Sequence, residues 1–196
     1  MPLELGEVVR DGLDARQSAV KEAEVIIDAG VSNFVHWLQS REAVPTIRAL
    51  RDERFKYVMI FKNKGYLAGA TLQHAHSQLI ATPVTPKRVK EELVGARRYY
   101  EIKRRCVFCD IIRQELQQKH RLITENEFFV SIAPFASRFP FEAWILPKTH
   151  YPCYEHTELS QYEQAAQILS DTLRKMNRVL TDPPSNYVIH TSSSPE

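Results

Sequence analysis

The stretch Gln73-His74-Ala75-His76-Ser77-Gln78 is reached through Phe61-Lys62-Asn63-Lys64-Gly65-Tyr66-Leu67-Ala68-Gly69-Ala70-Thr71 and runs on into Leu79-Ile80-Ala81-Thr82-Pro83. Side chains alternate along a strand, so in an extended segment His74, His76 and Gln78 share one face. A neutral imidazole attacks phosphorus only when one ring nitrogen is free and the other holds its proton in a fixed tautomer. One histidine of the pair can be that nucleophile, and the Gln78 amide can donate to a phosphoryl oxygen without adding a competing charge. Gly65 and Gly69 allow close backbone approach, while Asn63 and Thr71 supply uncharged donors, a setting suited to an anionic group. His-x-His by itself also describes two partly buried strand histidines. The glycine-rich approach and Gln78 turn the reading toward phosphoryl chemistry.

A chain of 196 residues with 43% apolar content buries a real core and fits one domain or two small ones. The net charge is only +2 and basic residues are interleaved with acidic ones, so no nucleic-acid footprint stands out, while an anionic small molecule fits. The sequence has no apolar run long enough to span a bilayer, and acids near its start replace the basic-then-apolar pattern of a leader, so a cytoplasmic location is expected. Three cysteines, two of them in Cys106-Val107-Phe108-Cys109, do not form a secreted disulfide framework in a chain this long. They read as a metal knuckle.

Along the chain, residues 1–19 are polar with little periodicity, and residues 23–28 form a short β-branched run closed by Gly30. Over 31–51, Phe34, Val35, Leu38, Ala43, Ile47 and Leu50 recur at roughly helical spacing, interrupted at Pro45. Residues 55–62 predict a strand that delivers an Asn63 loop, with 77–82 as its neighbour and Pro83 and Pro86 closing the edge. Val89, Leu93, Ala96 and Tyr100 predict a connecting helix over 86–105, its basic cluster a solvated face. A short helix over 111–118, strands over 121–124, 127–132 and 141–146, a helix over 158–180 and a last strand over 186–191 follow. In the long helix Ala165, Ala166, Leu169, Leu173 and Met176 fall on one side.

Phe-x-Asn-x-Gly, Ala-Gly-Ala-Thr, His-Ala-His-Ser-Gln and Ala-Thr-Pro-x-x-Pro, in that order, resemble the galactose-1-phosphate uridylyltransferase family within the histidine-triad superfamily. Phe-Ala-Ser-Arg-Phe-Pro-Phe-Glu-x-Trp-Ile-Leu-Pro-Lys-x-His resembles the hallmark of that family's second half. The resemblance implies an α+β fold of two histidine-triad-like halves, each an antiparallel sheet with packed helices. The halves fall at residues 1–85 and 106–196, joined by the helix over 86–105. It covers roughly 55–191 well and the first fifty residues poorly. Residues 23–28 are similar to the family's early strand, but both halves are expected to be incomplete, as in a chain shortened at each end.

By the same resemblance His76 is the nucleophile, forming a nucleotidyl-histidine, and Asn63, Gly69, Thr71 and Gln78 contact the nucleotide phosphates. Thr71 stands where a serine is more usual and keeps the hydroxyl. The cofactor implied is zinc, with Cys106, Cys109 and His150 matching family ligands and His74 a further one. His190, Cys153 or His156 would have to replace the fourth ligand of the first set, since thiolates and imidazole favour a four-coordinate site. The implied substrates are a nucleotide sugar and a sugar 1-phosphate, with no nucleic acid, no membrane and a possible homodimer. A nucleoside diphosphate-sugar phosphorylase of the same family, or a catalytically silent zinc-held domain, stands as the alternative. Incomplete sheets would leave unpaired edges near 25–28 and 187–191.

Overall fold

Tyr57-Val58-Met59-Ile60-Phe61 is an unbroken apolar run, and such a run in a strand implies neighbours on both faces. The computed structural model describes residues 55–70, 77–150 and 159–190, and all five of these side chains are buried. They lie in β1 (Tyr57–Lys64), the middle strand of a three-stranded antiparallel sheet, between β2 (Ser77–Thr82) and β6 (Ser185–Ile189). Tyr57, Met59 and Phe61 share a face with Val188 of β6 and pack on Val89. Val89 is the one buried residue of α1 (Lys87–Lys103). The strand is shifted two residues along the chain from the expected 55–62, so Asn63 sits in β1 and not in the loop after it.

A second antiparallel sheet takes β3 (Leu122–Glu125), β4 (Phe129–Ile132) and β5 (Trp144–Pro147) in chain order. Val130 and Ile132, both 0% exposed, form a cluster with Ile112 of α2 (Val107–Gln118), joined by Leu122, Trp144 and Leu146. Between them Ser131 points the other way, to α3 (Leu159–Leu180). Thr172 Oγ1 donates to the Ile168 carbonyl at 2.7 Å. Its one proton being used there, Ser131 donates to Thr172 across 2.9 Å.

The buried side of α3 is therefore more polar than apolar counting predicts. Gln161, Ala166, Ile168, Ser170 and Thr172 are the buried residues, whereas Ala165, Leu169, Leu173 and Met176 are half-buried. The turn between β3 and β4 is tied to the same helix, because Asn126 accepts from the Phe128 and Phe129 amides and donates to the Gln164 carbonyl at 2.8 Å. At the end of α2 the buried Glu115 holds Arg121 at 2.9 and 2.6 Å, and that guanidinium lies 5.4 Å from the centre of the Phe135 ring.

Three expectations change. The helix after the cysteines begins at Val107 with Cys106 as its N-cap, not at 111, so Cys109 is helical. The strand expected over 141–146 is confined to Trp144–Pro147. Glu142 accepts from the Arg138 amide at 2.6 Å and from Trp144 Nε1 at 2.8 Å, which folds the preceding residues into a turn with Phe141 at φ +61°. Finally, the last strand belongs to the first sheet and not to the second half's, and as the end strand of β2-β1-β6 it keeps one side without a partner among the described strands. It pairs with β1, Ile60 to Asn63 facing Ile189 to Asn186. The other expected edge, near 25–28, lies outside the described residues. No described helix is long and apolar enough to cross a membrane.

Candidate active site and metal knuckle

The register of the first sheet decides which candidates meet. Phe61 faces Gln78 on β2 and Val188 on β6, and residues directly opposite in an antiparallel pair project to the same side. Gln78 therefore lies on the face of Tyr57, Met59 and Phe61, and Asn63, two residues on from Phe61, continues that face. Asn63 and Gln78 are both half-buried, reachable yet held by the sheet. Asn63 faces Asn186, an exposed residue that sequence reasoning did not select. Its selection needed the β1–β6 pairing, which no local pattern announces.

Two glycines shape the turn that leaves β1. Gly69 is in the left-handed region at φ +81°, ends the single 3-10 turn Tyr66–Ala68, and accepts from Asn63 Nδ2 at 3.4 Å. Gly65, at φ +81° and ψ 151°, adopts a conformation open almost only to glycine, and a Cβ there would lie 3.4 Å from Pro184 Cβ. Beside it Lys64 pairs with Asp182. Of the expected phosphate-binding set, the structure thus joins Asn63 to Gly69 and puts Gln78 on the same sheet face as Asn63. Thr71, His74 and His76 lie outside the described residues.

The reverse face carries Lys62, with Ser77 opposite it on β2 and Tyr187 on β6. Burial pulls the Lys62 ammonium below the ordinary lysine range. Burial also pushes the Tyr187 phenol up, partly offset by its hydrogen bond with Ser77, the residue at which the motif enters β2. At the far end Tyr57 is pushed up to about 12 by burial and then by the Glu92 carboxylate. Its hydroxyl is 3.2 Å from His190 Nδ1.

That contact bears on the metal. His190 belongs to the first sheet's surroundings, and the described group able to hold an ion is Cys106, Cys109 and His150 alone, without it. Cys153 and His156 lie outside the described residues. The three ligand atoms lie within 4.8 Å of one another, with Cys109 Sγ 3.2 Å from His150 Nδ1. Around a tetrahedral zinc, sulfur and nitrogen ligands stand about 3.5–3.8 Å apart, so the set fits that ion with small adjustment. It would join the start of α2 to the chain just past β5.

Asp110, next to Cys109, fixes this knuckle and was also missed. It accepts from Tyr99 Oη of α1 at 2.8 Å and pairs with Arg105 and Arg113 at 3.0 Å each. The Tyr99 hydrogen bond, opposed by partial burial and aided by the arginines, holds its carboxyl below the usual carboxylate range. The acid three residues before Arg113 was the available signal. Burial pushes the Cys109 thiol up, with Cys106 adding to the effect, so the metal-free thiol resists ionisation.

Comparison with known proteins finds two similarities along the chain. Residues 22–57 match the family described as glutamyl-tRNAGlu reductase, dimerisation domain. A glutamyl-tRNA reductase of Nitrosomonas europaea is 40% identical over 90 residues, 46% of this chain and 19% of that protein. That match includes residues 23–28, the stretch similar to the uridylyltransferase family's early strand. An ADP-glucose phosphorylase of Arabidopsis thaliana is 41% identical over 142 residues, 72% of this chain and 39% of the relative. A galactose-1-phosphate uridylyltransferase of Thermotoga maritima is 34% identical over 124 residues, 63% of this chain and 38% of the relative. The chain thus spans about two-fifths of the length of these curated relatives. Among solved structures, a uridylyltransferase aligns with TM-score 0.78 at 28% identity, covering 87% of this chain and 54% of its own. An Arabidopsis thaliana ADP-glucose phosphorylase with bound ADP-glucose aligns with TM-score 0.75 at 33% identity, covering 87% and 51%.

Proposed function

From the chain's place in the galactose-1-phosphate uridylyltransferase family, of which it carries a segment, we propose that it moves a nucleoside monophosphate group between a nucleotide sugar and a sugar 1-phosphate. A ring nitrogen of His76 bonds to the α-phosphorus while the bond to the bridging oxygen breaks and the sugar 1-phosphate departs with its electron pair. A phosphate oxygen of the acceptor then attacks the same phosphorus and returns the lone pair to His76. Dividing the transfer into two displacements is what a nucleophile contributes. Donors from Asn63, Thr71 and Gln78 offset charge developing on the phosphoryl oxygens, and Gly69 lets backbone approach them.

The observation that carries this reading is the convergence of Asn63 and Gln78 on one face of the first sheet, beside the turn held by Gly69 and at the strand the histidine motif enters. The test is incubation with nucleotide sugar radiolabelled in the nucleotide. An acid-labile, base-stable label absent from His76→Ala is the expected result. No label with any common nucleotide sugar would turn the reading to a zinc-held interaction domain. The 41% identity to an ADP-glucose phosphorylase favours a second reading in which inorganic phosphate is the acceptor. Release of label by phosphate alone, with none by hexose 1-phosphates, would establish it.

Zinc on Cys106, Cys109 and His150, with His74 as a ligand elsewhere, belongs to the same proposal. Bound there, the ion supplies a structural cross-link and no step of the transfer. A cytoplasmic location and the division into halves at 1–85 and 106–196 complete it. Self-association is supported by the match of 22–57 to a dimerisation domain.

A further inference from the structure

We infer that Lys62 and Tyr187 form a binding site for a phosphate group on the face of the first sheet opposite Asn63 and Gln78, a site that does not depend on the nucleotidyl-transfer reading. Lys62 on β1 stands directly between Ser77 on β2 and Tyr187 on β6 in the two registers, so the three side chains project to one side. Ser77 and Tyr187 are hydrogen-bonded to each other although β1 separates their strands, which brings the phenol across that strand at Lys62.

Among the described residues, neither the Lys62 ammonium nor the Tyr187 hydroxyl proton has an acceptor. Burial is the one cause that pulls Lys62 below the ordinary lysine range, with no carboxylate opposing it. Lys64, two residues along the same face, has such a partner in Asp182. The Ser77 bond favours the phenolate, so Ser77 is the donor in it and Tyr187 keeps its own proton for another acceptor. A half-buried cation without a counter-charge is costly, and an anion bound against it offsets that cost. Neighbouring strands are about 4.8 Å apart, a spacing over which a tetrahedral phosphate can give one oxygen to the ammonium and a second to the phenol. Ser77 is exposed, so the cluster is not sealed from solutes.

The test is titration of the full chain, isotopically labelled at the lysine ε-carbons, with inorganic phosphate and separately with acetate. The Lys62 resonance is assigned by its loss in Lys62→Met. Phosphate should shift it to saturation, and acetate, with a single charge and two coplanar oxygens, should bind more weakly. Tyr187→Phe should weaken phosphate at this resonance about 10- to 100-fold, the loss expected for a hydrogen bond to a charged group. A resonance that phosphate does not move, that acetate moves equally well, or whose phosphate affinity is unchanged in Tyr187→Phe would overturn the inference. Loss of the shift in Gln78→Ala would put the phosphate on the other face and overturn it as well. Labelling of His76 tests the nucleotidyl-transfer reading separately, and none of these outcomes decides it.

Discussion

The first sheet draws its middle strand's two partners from opposite directions along the chain, β2 from just after β1 and β6 from far beyond it, whereas β3, β4 and β5 follow one another. The first carries the polar residues Asn63, Gln78 and Asn186 toward one end of its three strands. The second is closed by α2 on one face and α3 on the other, with Val130, Ser131 and Ile132 all 0% exposed on β4. Similar three-stranded frames thus differ in character: one carries polar side chains along a face, the other is packed on both faces.

The largest effect is expected in the closed sheet. Ile132→Ala should cost about 2–5 kcal/mol, the range for truncating a buried aliphatic side chain, read as a lower urea midpoint. Labelling of His76 in the fraction still folded should be unchanged. A fall in labelling rate without a fall in stability would blur the division. Gln78→Ala should do the converse, slowing label formation about 100-fold with a midpoint within about 0.5 kcal/mol of wild type.

Weaker contacts sharpen the contrast. Asp182→Ala removes the partner of Lys64 and should cost about 1 kcal/mol, with faster hydrogen exchange in β6 and none of that change in β4. If β4 loosens equally, the two sheets respond as one unit. Opposite pH limits should give the smallest effects. Tyr57, raised to about 12 by burial, is neutral in the fold, so its contribution is complete below the ordinary tyrosine range near 10 and is lost as pH rises toward 12. Absorbance of the phenolate reads it. Burial pushes Glu142 up, but hydrogen bonds from Arg138, Trp144 and Phe139 outweigh it and leave the carboxyl below its ordinary value. Its contribution is present above that value, about 4.3, and is lost as pH falls through the lowered one. Trp144 fluorescence should shift there in wild type and not in Glu142→Gln.

Much of this frame was legible. Dense β-branched and aromatic residues gave β1 and β2, and Cys-x-x-Cys with a later histidine gave the cluster of Cys106, Cys109 and His150. Local pattern could not give the partner of β6, because pairing depends on which distant edge is free, and with it Asn186 went unseen. Counting apolar residues misplaced the buried side of α3, since Ser131 and Thr172 satisfy each other and so tolerate burial. A run of alternating residues overstated β5, because Glu142 offers the preceding amides a turn.

The Tyr57 hydroxyl and His190 Nδ1 meet across 133 residues of sequence. A chain emerging from the ribosome has its whole second sheet available before Ser185–Ile189 appears, so β1 must wait with one edge bare. During that interval the apolar run from Tyr57 to Phe61 is open to any passing strand, and closure over such a separation is the slow kind. Completion of the first sheet is therefore timed by the synthesis of β6, and a chaperone or a homologous strand arriving first would compete for its place.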